Sequence, residues 1–298
     1  MSWLIWRQHR GELVGAMVAL AVLGLVLITH GIPMHEAYNR DDVAACNAQM
    51  FEPDDDPDCV DTLVAITAQY SDLPNQFGNW LPFLPMLAGM LIGAPLLARE
   101  LEQGTWQLAW TQGVTRTRWL VTKFAAVLGG VVAASVLFAA GMSWWIAPQE
   151  PDRFTTDKFN HSVLVFPAYV LLAVAIGVLA GVVVKRTIAA AAIVVGGYLM
   201  IRLPVEFGLR PRFREPLTTD EPRSISGWFV DGFSPGPDGP PQPVRYHPDS
   251  RFWEFQLIEV TILAGITAVL LFITWRLVVG RRPKASLGRA RDGDVTVG

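Results

Sequence analysis

Charged residues are scarce in this chain. They make up 17% of its 298 residues, whereas soluble globular domains carry about 25%. Hydrophobic residues make up 51% of the chain, and the mean hydropathy is +0.33. This composition excludes an ordinary water-soluble domain. The 24 basic and 27 acidic residues nearly balance, so no overall positive field indicates nucleic acid as a partner.

Motifs for catalysis and nucleotide hydrolysis are also missing. The sequence has no Gly-x-Ser-x-Gly elbow and no phosphate-binding G-x-x-x-x-G-K-[ST] loop. None of the histidines has the spacing of a metalloprotease zinc site; they are His9, His30, His35, His161 and His247. We therefore expect a chain that is not an enzyme by itself, binds no cofactor or metal and does not hydrolyse ATP.

Six apolar segments, of 17 to 29 residues, are present instead. Crossing about 30 Å of hydrocarbon takes about 20 residues of helix, so each segment predicts a membrane span. The predicted spans are 13–29, 80–98, 119–147, 162–184, 187–204 and 255–279. No A-x-A cleavage site follows Thr29, so the first span is predicted to remain as an anchor. The chain is thus predicted to be an all-α integral membrane protein with one transmembrane domain, residues 1–298.

The distribution of charge predicts the orientation of the six spans. The face that carries both termini holds 14 Lys and Arg and five acidic residues, a net charge of +9, and the other face has −12. Because basic residues accumulate on the cytoplasmic side, both termini are predicted to be cytoplasmic. The predicted location is the cytoplasmic membrane.

Ionisable residues are absent from the predicted span centres, where ion-driven carriers and pumps need them. This absence favours an energy source on another chain. Near the outer edge, Arg202 and Glu206 can pair at i, i+4, and Glu259 lies at a similar depth. We interpret this trio first as structural, with substrate contact as the alternative.

The two outer connectors, 30–79 and 205–254, are long. The first contains both cysteines of the chain, Cys46 and Cys59, which predict a disulfide in an oxidising compartment; two free thiols are the alternative. It also contains an amphipathic pattern over residues 60–70, which predicts a helix. The second connector is rich in Pro and Gly and is predicted to be irregular.

Small residues recur four positions apart in spans two and four, at Gly89 and Gly93, and at Ala173, Gly177 and Gly181. They predict close helix contacts, either inside one bundle or between subunits. Prolines 82, 85, 95 and 167 predict kinks or first-turn positions.

The largest inner connector, 99–118, combines charge with aromatic side chains. Gly104-Thr105 can end an extension of span two and begin a second short helix. A cytosolic partner could grip such a segment; a helix anchored in the membrane interface is the alternative. The opening residues, with Trp3, Trp6, Arg7 and Arg10, fit either an interface helix or a charged lead-in to span one.

The inner connector resembles a known family. The segment from Leu97 to Thr105 reads LARELEQGT, and Leu108 to Gln112, Thr115 to Leu120 and Lys123 follow it. These residues strongly resemble the permease subunits of type-2 ABC exporters, particularly an actinobacterial subgroup. The opening segment Trp3 to Arg10 and Ser250 to Glu259 share the resemblance, which covers nearly the whole chain.

The resemblance implies a subunit driven by a separate ATPase. Two permease subunits, in a homodimer or a heterodimer, would sit in membrane lipid on two copies of a cytoplasmic ABC ATPase, which would bind ATP and Mg. Trp3, Trp6, Arg7 and Arg10 would lie in an interface helix. A coupling helix between spans two and three would contact the ATPase through Arg99, Glu100, Leu101, Glu102, Gly104, Thr105, Trp106, Leu108 and Arg116. Alternating access would then export a hydrophobic or amphiphilic compound, such as a drug, lipid, peptide or antibiotic, along a path whose residues are not assigned.

Two other functions stay open at this point. A membrane sensor or immunity protein would bind an external ligand through the outer loops without transporting it. An integral membrane enzyme is the least supported, since no nucleophile, base or metal set converges at one depth.

Overall fold

The fold is a bundle of long apolar helices in the computed structural model. The structure describes residues 2–40, 43, 46, 57–70, 80–104, 115–148, 153–220, 226–230 and 243–280; within these ranges the side chains of 2–13, 16–17, 57, 60 and 116 are not described. In this part of the chain, six helices are long and apolar enough to cross a membrane, which confirms the predicted number of spans.

The helix bounds differ from the predicted spans mainly at two ends. Span one is part of the helix Ser2–Tyr38, and span five continues through Pro204 to Arg212. The helices of the other spans are Leu81–Gln103 for span two, Arg116–Ile146 for span three, Val165–Val184 for span four and Phe252–Val279 for span six. Span four is almost entirely buried and packs against spans two, three, five and six, so it forms the centre of the bundle.

Span two consists of four short helical segments rather than one regular helix. A 3-10 turn, Leu81–Phe83, leads into the α-helix Leu84–Ala88, a π-helical stretch, Gly89–Gly93, and the α-helix Ala94–Gln103. Its prolines, 82, 85 and 95, each fall at the start of one of these segments, where a missing N–H leaves no helical hydrogen bond broken. Pro167 likewise lies in the first turn of span four.

The small residues of spans two and four bring their backbones together within this single bundle. A Cβ added at Gly177 would lie 2.5 Å from the carbonyl oxygen of Gly89, and one added at Gly93 would lie 2.5 Å from that of Val174. Only glycine permits such an approach. Of the two predicted kinds of contact, the structure contains the one inside the bundle.

The first long connector contains the predicted helix and the predicted disulfide. The helix is Pro57–Tyr70; Ile66 is buried, and Leu63 and Tyr70 pack against the core. Cys46 and Cys59 are joined by a disulfide bond. The Tyr38 hydroxyl lies 3.3 Å from Thr67 Oγ1, which ties this helix to the end of span one.

The second long connector contains a small sheet that was not predicted. Three short strands, β1 (Leu217–Thr219), β2 (Gly227–Phe229) and β3 (Val244–Pro248), pair antiparallel in the order β1-β3-β2. Leu217 faces Tyr246 in one pair, and Trp228 faces His247 in the other. The irregular structure expected for the Pro-rich run from 234 to 243 falls outside the described residues, apart from Pro243.

The bundle has two ends, a terminal end and a distal end. The terminal end contains residues 99–104, 115–123 and 185–187, and span one begins and span six ends there. The distal end contains residues 30–38, 144–148, 153–165, 202–219 and 244–259, and it carries the sheet.

Substitution of Gly177 should destabilise the bundle. In Gly177→Ala the new methyl group meets backbone rather than a flexible side chain, and overpacking of this kind costs about 1–3 kcal/mol. We expect a lower melting temperature in detergent or nanodiscs. Gly196→Ala is the matched control, because nothing lies within 4 Å of its added Cβ. Equal melting temperatures for the two variants would contradict the close approach of spans two and four.

Candidate functional site: a buried charge cluster and a braced helix end

The distal end of the bundle contains a cluster of charged residues in its interior. Glu259 of span six is fully buried, and Arg202 and Arg210 of span five are each 5% exposed. Glu206 lies between the two arginines in sequence, and its side chain is 13% exposed. Two arginines and two glutamates are thus brought together where an unpaired charge would be very costly.

The strongest contact of the cluster joins spans five and six. Arg210 donates from Nε to Glu259 Oε2 and from Nη2 to Glu259 Oε1, both at 2.7 Å. Tyr169 of span four donates to the same Oε1, also at 2.7 Å. This two-pronged, charge-assisted pairing is the strong form of a hydrogen-bonded ion pair, and it fixes three spans relative to one another.

Arg202 is held less closely than Arg210. Its Nε lies 3.2 Å from Glu206 Oε2, and its Nη1 donates to the Tyr198 hydroxyl at 3.3 Å. Tyr198 in turn donates to the carbonyl oxygen of Pro82 in span two, at 3.3 Å. Nη2 of Arg202 is buried and finds no hydrogen-bond partner in the part of the chain that the structure describes. The guanidinium also covers the ring of Tyr169, 4.6 Å from its centroid.

The short helix Thr156–Asn160 supplies the side chain of Asn160, which bridges Glu206 and Arg210. Asn160 donates from Nδ2 to Glu206 Oε1 and accepts at Oδ1 from Arg210 Nη2, each at 2.9 Å. The hydroxyl of Thr155 caps the start of this helix by accepting from Lys158 N. Asn160 is therefore positioned by a local cap and uses both ends of its amide.

Local sequence explains why three charged residues of span five reach the same side. Pro204 lacks an N–H and ought to end a regular α-helix, yet the chain continues as a π-helical stretch, Pro204–Leu209, and a 3-10 turn, Arg210–Arg212. The wider turn keeps the i, i+4 positions 202, 206 and 210 in contact with the cluster.

Aromatic rings and the sheet cover the cluster at the distal end. Phe159 lies under Arg210, with 4.2 Å between the guanidinium carbon and the ring centroid. Phe154 contacts Phe159, Phe255 and Trp228 of β2, and so connects the cluster to the sheet. This covering excludes water, which strengthens the electrostatic interactions beneath it.

Two histidines at this end are held in the neutral form by their surroundings. Burial lowers the pKa of His161, and the nearby positive charge of Arg202 acts in the same direction. Burial likewise lowers the pKa of His247, which lies 3.2 Å from the carbonyl oxygen of Pro211. Among the described residues, no group of three His, Cys, Asp or Glu side chains is arranged to hold a metal ion.

The terminal end contains a second arrangement of polar contacts. Lys123 of span three donates to Glu100 Oε1 of span two at 2.5 Å, and both side chains are largely buried. Glu102 Oε2 accepts from the backbone N and the hydroxyl of Thr187, at 3.3 and 3.1 Å. A carboxylate there satisfies an N–H that the first turn of span five leaves free. The end of span two is therefore braced against spans three and five.

The chain leaves span two immediately after this braced end. Gly104 has a φ of +71°, the left-handed conformation that commonly ends a helix at glycine. The next described residue, Thr115, caps span three by accepting from Arg118 N. The connector is thus attached at both ends to defined helix termini.

A family comparison agrees with this architecture. A family model described as "ABC-2 membrane transporter related" matches residues 17–210, well over half of the chain. The chain belongs to the ABC-2 membrane transporter family. No curated protein and no solved structure shows a significant match to it. As an ABC-2 family member with six spanning helices, the chain is a multi-pass membrane protein and a transporter membrane subunit.

The predicted coupling residues of this ABC-2 protein are only partly described. Glu100 and Glu102 form the brace, Leu101 packs against the core, and Arg99 and Gly104 lie at the same helix end. Thr105, Trp106 and Leu108 lie outside the described residues, as does the side chain of Arg116. Their role in coupling stays a prediction.

The predicted interface segment is continuous with span one. Trp3, Trp6, Arg7 and Arg10 belong to the uninterrupted helix Ser2–Tyr38, so the backbone shows no separate helix at this point. Whether these residues form an interface helix or a lead-in to span one stays a prediction. Their side chains lie outside the described part.

Three of the four charged residues of the buried cluster were predicted from the sequence. The Arg202–Glu206 pair and the proximity of Glu259 were predicted, and both are confirmed. Arg210 was missed because residue 205 was taken as the start of a loop. The signal was present in the i, i+4, i+8 series of Arg202, Glu206 and Arg210 directly after an apolar span.

Neutralising Glu259 should strongly destabilise this protein. Glu259→Gln leaves buried Arg210 with only the 3.8 Å contact to Glu206 as counter-charge, and breaking a buried pair in this way costs roughly 3–5 kcal/mol. Thermal unfolding of the full chain measures the effect. Glu254→Gln removes the partner of exposed Arg214 and should change the melting temperature little. The double variant Glu259→Gln, Arg210→Gln should recover part of the loss, and a double variant no more stable than Glu259→Gln would refute the pairing.

Proposed function

We propose that the chain is the permease of an ATP-driven exporter, coupled to a separate cytoplasmic ABC ATPase through the connector 104–115. The braced end of span two is the observation that carries this proposal. Glu100 and Glu102 link the last turn of span two to Lys123 in span three and to Thr187 in span five. A force applied to the connector therefore acts on three spans together.

The proposed motor lies on another chain. The sequence contains no phosphate-binding loop, and the charged cluster lies at the distal end, away from the connector. The ATPase would supply ATP hydrolysis with Mg, in two copies that pair with two permease chains. The permease pair is a homodimer in this proposal, and a heterodimer is the alternative outcome of a co-purification experiment.

The proposed cargo is hydrophobic or amphiphilic. Spans two and five present large apolar side chains outside the bundle: Leu91 is 71% exposed, Ile188 87% and Met200 79%. Such surfaces suit lipid, a second permease chain or an apolar cargo. A drug, lipid, peptide or antibiotic-like compound fits this character.

The coupling role of Glu100 is tested by exchanging the charges of its ion pair. Glu100→Lys alone should lower both binding of the ATPase and ATP hydrolysis by the complex, because it places two cations together and alters the helix end. The double exchange Glu100→Lys, Lys123→Glu restores the internal pair. If the pair only braces span two, the exchange should recover hydrolysis to near the parent rate; if Glu100 also contacts the ATPase, hydrolysis should stay several-fold lower.

Glu254→Gln serves as the control, since its salt bridge with Arg214 is exposed and lies at the distal end. The proposal would be overturned if the full chain, purified under mild conditions, carried no ABC ATPase and still exported its cargo without ATP. Both readouts require only the permease, its co-purified partners and ATP.

The proposed orientation places the termini in the cytoplasm of a bacterial cell and the distal end outside. The net charges of +9 and −12 on the two predicted faces support it. Cys46 and Cys59 provide the measurement. A membrane-impermeant maleimide should label intact cells only after reduction. Labelling without reduction would contradict the disulfide, and labelling that requires cell lysis would reverse the orientation.

A further inference from the structure

Among the histidines whose side chains are described, His161 is the one that follows directly on the buried cluster, next to Asn160. It lies just after the helix Thr156–Asn160 and is 1% exposed. Nδ1 lies 2.9 Å from the carbonyl oxygen of Asp157. A carbonyl oxygen can only accept, so Nδ1 carries the hydrogen and Nε2 has the free lone pair of the neutral ring. Nε2 is buried and has no hydrogen-bond partner among the described residues.

Charged groups act on His161 from its own short helix and from span five. Asp157 lies on its own helix and contributes a favourable negative charge, whereas span five contributes Arg202 and Glu206 with opposite effects. Span three contributes the hydroxyl of Ser143, which donates to the backbone oxygen of His161, and span four contributes the ring of Phe166. The further members of the cluster are Arg210, Glu259, Tyr169, Tyr198 and Asn160.

We propose that Nε2 of His161 is a proton-binding site, and that its protonation releases Arg202 from Glu206 and so loosens the distal end of spans two and five. A proton from water would bind the lone pair without breaking a covalent bond, and the cluster would gain one positive charge. The new positive charge would attract the Glu206 carboxylate and repel the Arg202 guanidinium, both of which act electrostatically on the ring. Among the described residues, Nη2 of Arg202 already lacks a hydrogen-bond partner.

The contact distances indicate which arginine moves. Arg210 holds Glu259 through two hydrogen bonds of 2.7 Å, whereas Arg202 has single contacts of 3.2 and 3.3 Å. Arg202 is therefore the weaker link when a positive charge arrives. Arg202 also donates to the Tyr198 hydroxyl, which in turn donates to Pro82 O, so its displacement weakens the support of a tie between spans two and five.

Linkage determines the direction of the pH effect. The pKa of His161 in the closed state lies below its ordinary value of 6.5, because burial disfavours the charged ring. An opened state that hydrates the ring restores the ordinary pKa. The closed state is then fully favoured above pH 6.5, and acid progressively favours the open state as the pH falls below that value. Each unit of difference in pKa shifts the equilibrium about tenfold.

The first experiment measures thermal unfolding of the full chain in lipid nanodiscs between about pH 7.5 and about pH 5. Wild type should lose stability as the pH falls, and His161→Asn should lose clearly less. Asparagine can still donate to the Asp157 carbonyl but takes up no proton. His35→Asn, at the same end of the bundle, is the control and should keep the wild-type slope. A slope in His161→Asn equal to that of wild type overturns the proposal.

A second experiment tests the proposal without the His161→Asn variant, in case that variant fails to fold. Spin labels at Phe83 and Leu209, which are 40% and 47% exposed, report the separation of spans two and five at the distal end. At about pH 5.5 the otherwise unchanged chain should show a longer-distance population that reverses at about pH 7.5. Arg202→Gln should show that population already at about pH 7.5. Identical distance distributions at both pH values overturn the proposal.

The role of this opening in export rests on the proposed function. The proton-binding site itself does not. Both experiments use the permease without ATPase, nucleotide or cargo. Loss of ATPase coupling would therefore leave their outcome unchanged, and failure of the proton-binding site would leave the coupling experiment with Glu100 and Lys123 unchanged.

Discussion

The distal half of this molecule depends on the contact between Arg210 and Glu259. A fully buried carboxylate is tolerable only with a counter-charge and filled acceptor positions, and Glu259 obtains these from Arg210 and Tyr169. The three groups belong to three different spans. The relative positions of those spans are therefore constrained by electrostatics as well as by packing, since sliding one of them by a turn would leave a charge unpaired in an apolar interior.

Span two connects this cluster with the braced end. Its last turn is held by Glu100 and Glu102, its glycines contact the backbone of span four, and its first turn offers the Pro82 carbonyl to Tyr198. Contacts thus run without interruption from the terminal end to the distal end. Close backbone packing transmits displacement well because interiors of this density compress little. The broken helical geometry of span two allows its segments to reorient while those contacts persist.

Features that depend on local sequence were predictable, and features that depend on tertiary pairing were not. Apolar runs of adequate length determine the spans, and the amphipathic spacing of apolar residues determines the helix Pro57–Tyr70. The continuation of span five past Pro204 was hidden because proline ordinarily ends a helix, and only the charge cluster supplies a reason to continue. The sheet was hidden for a similar reason: β1 and β3 are separated by a long Pro-rich segment, so their pairing leaves no local pattern.

The cluster also explains why the molecule uses charge where apolar side chains would be simpler. A buried ion-pair network adds little net stability compared with well-packed apolar residues, but it discriminates strongly between arrangements that satisfy its charges and arrangements that do not. A transporter must pass between two arrangements of its spans. A charge-neutral cluster with one tightly held arginine and one loosely held arginine keeps spans four and six joined to Arg210, while Arg202 can exchange partners at a smaller cost. The asymmetry between the two arginines is thus what permits partial opening without loss of the fold.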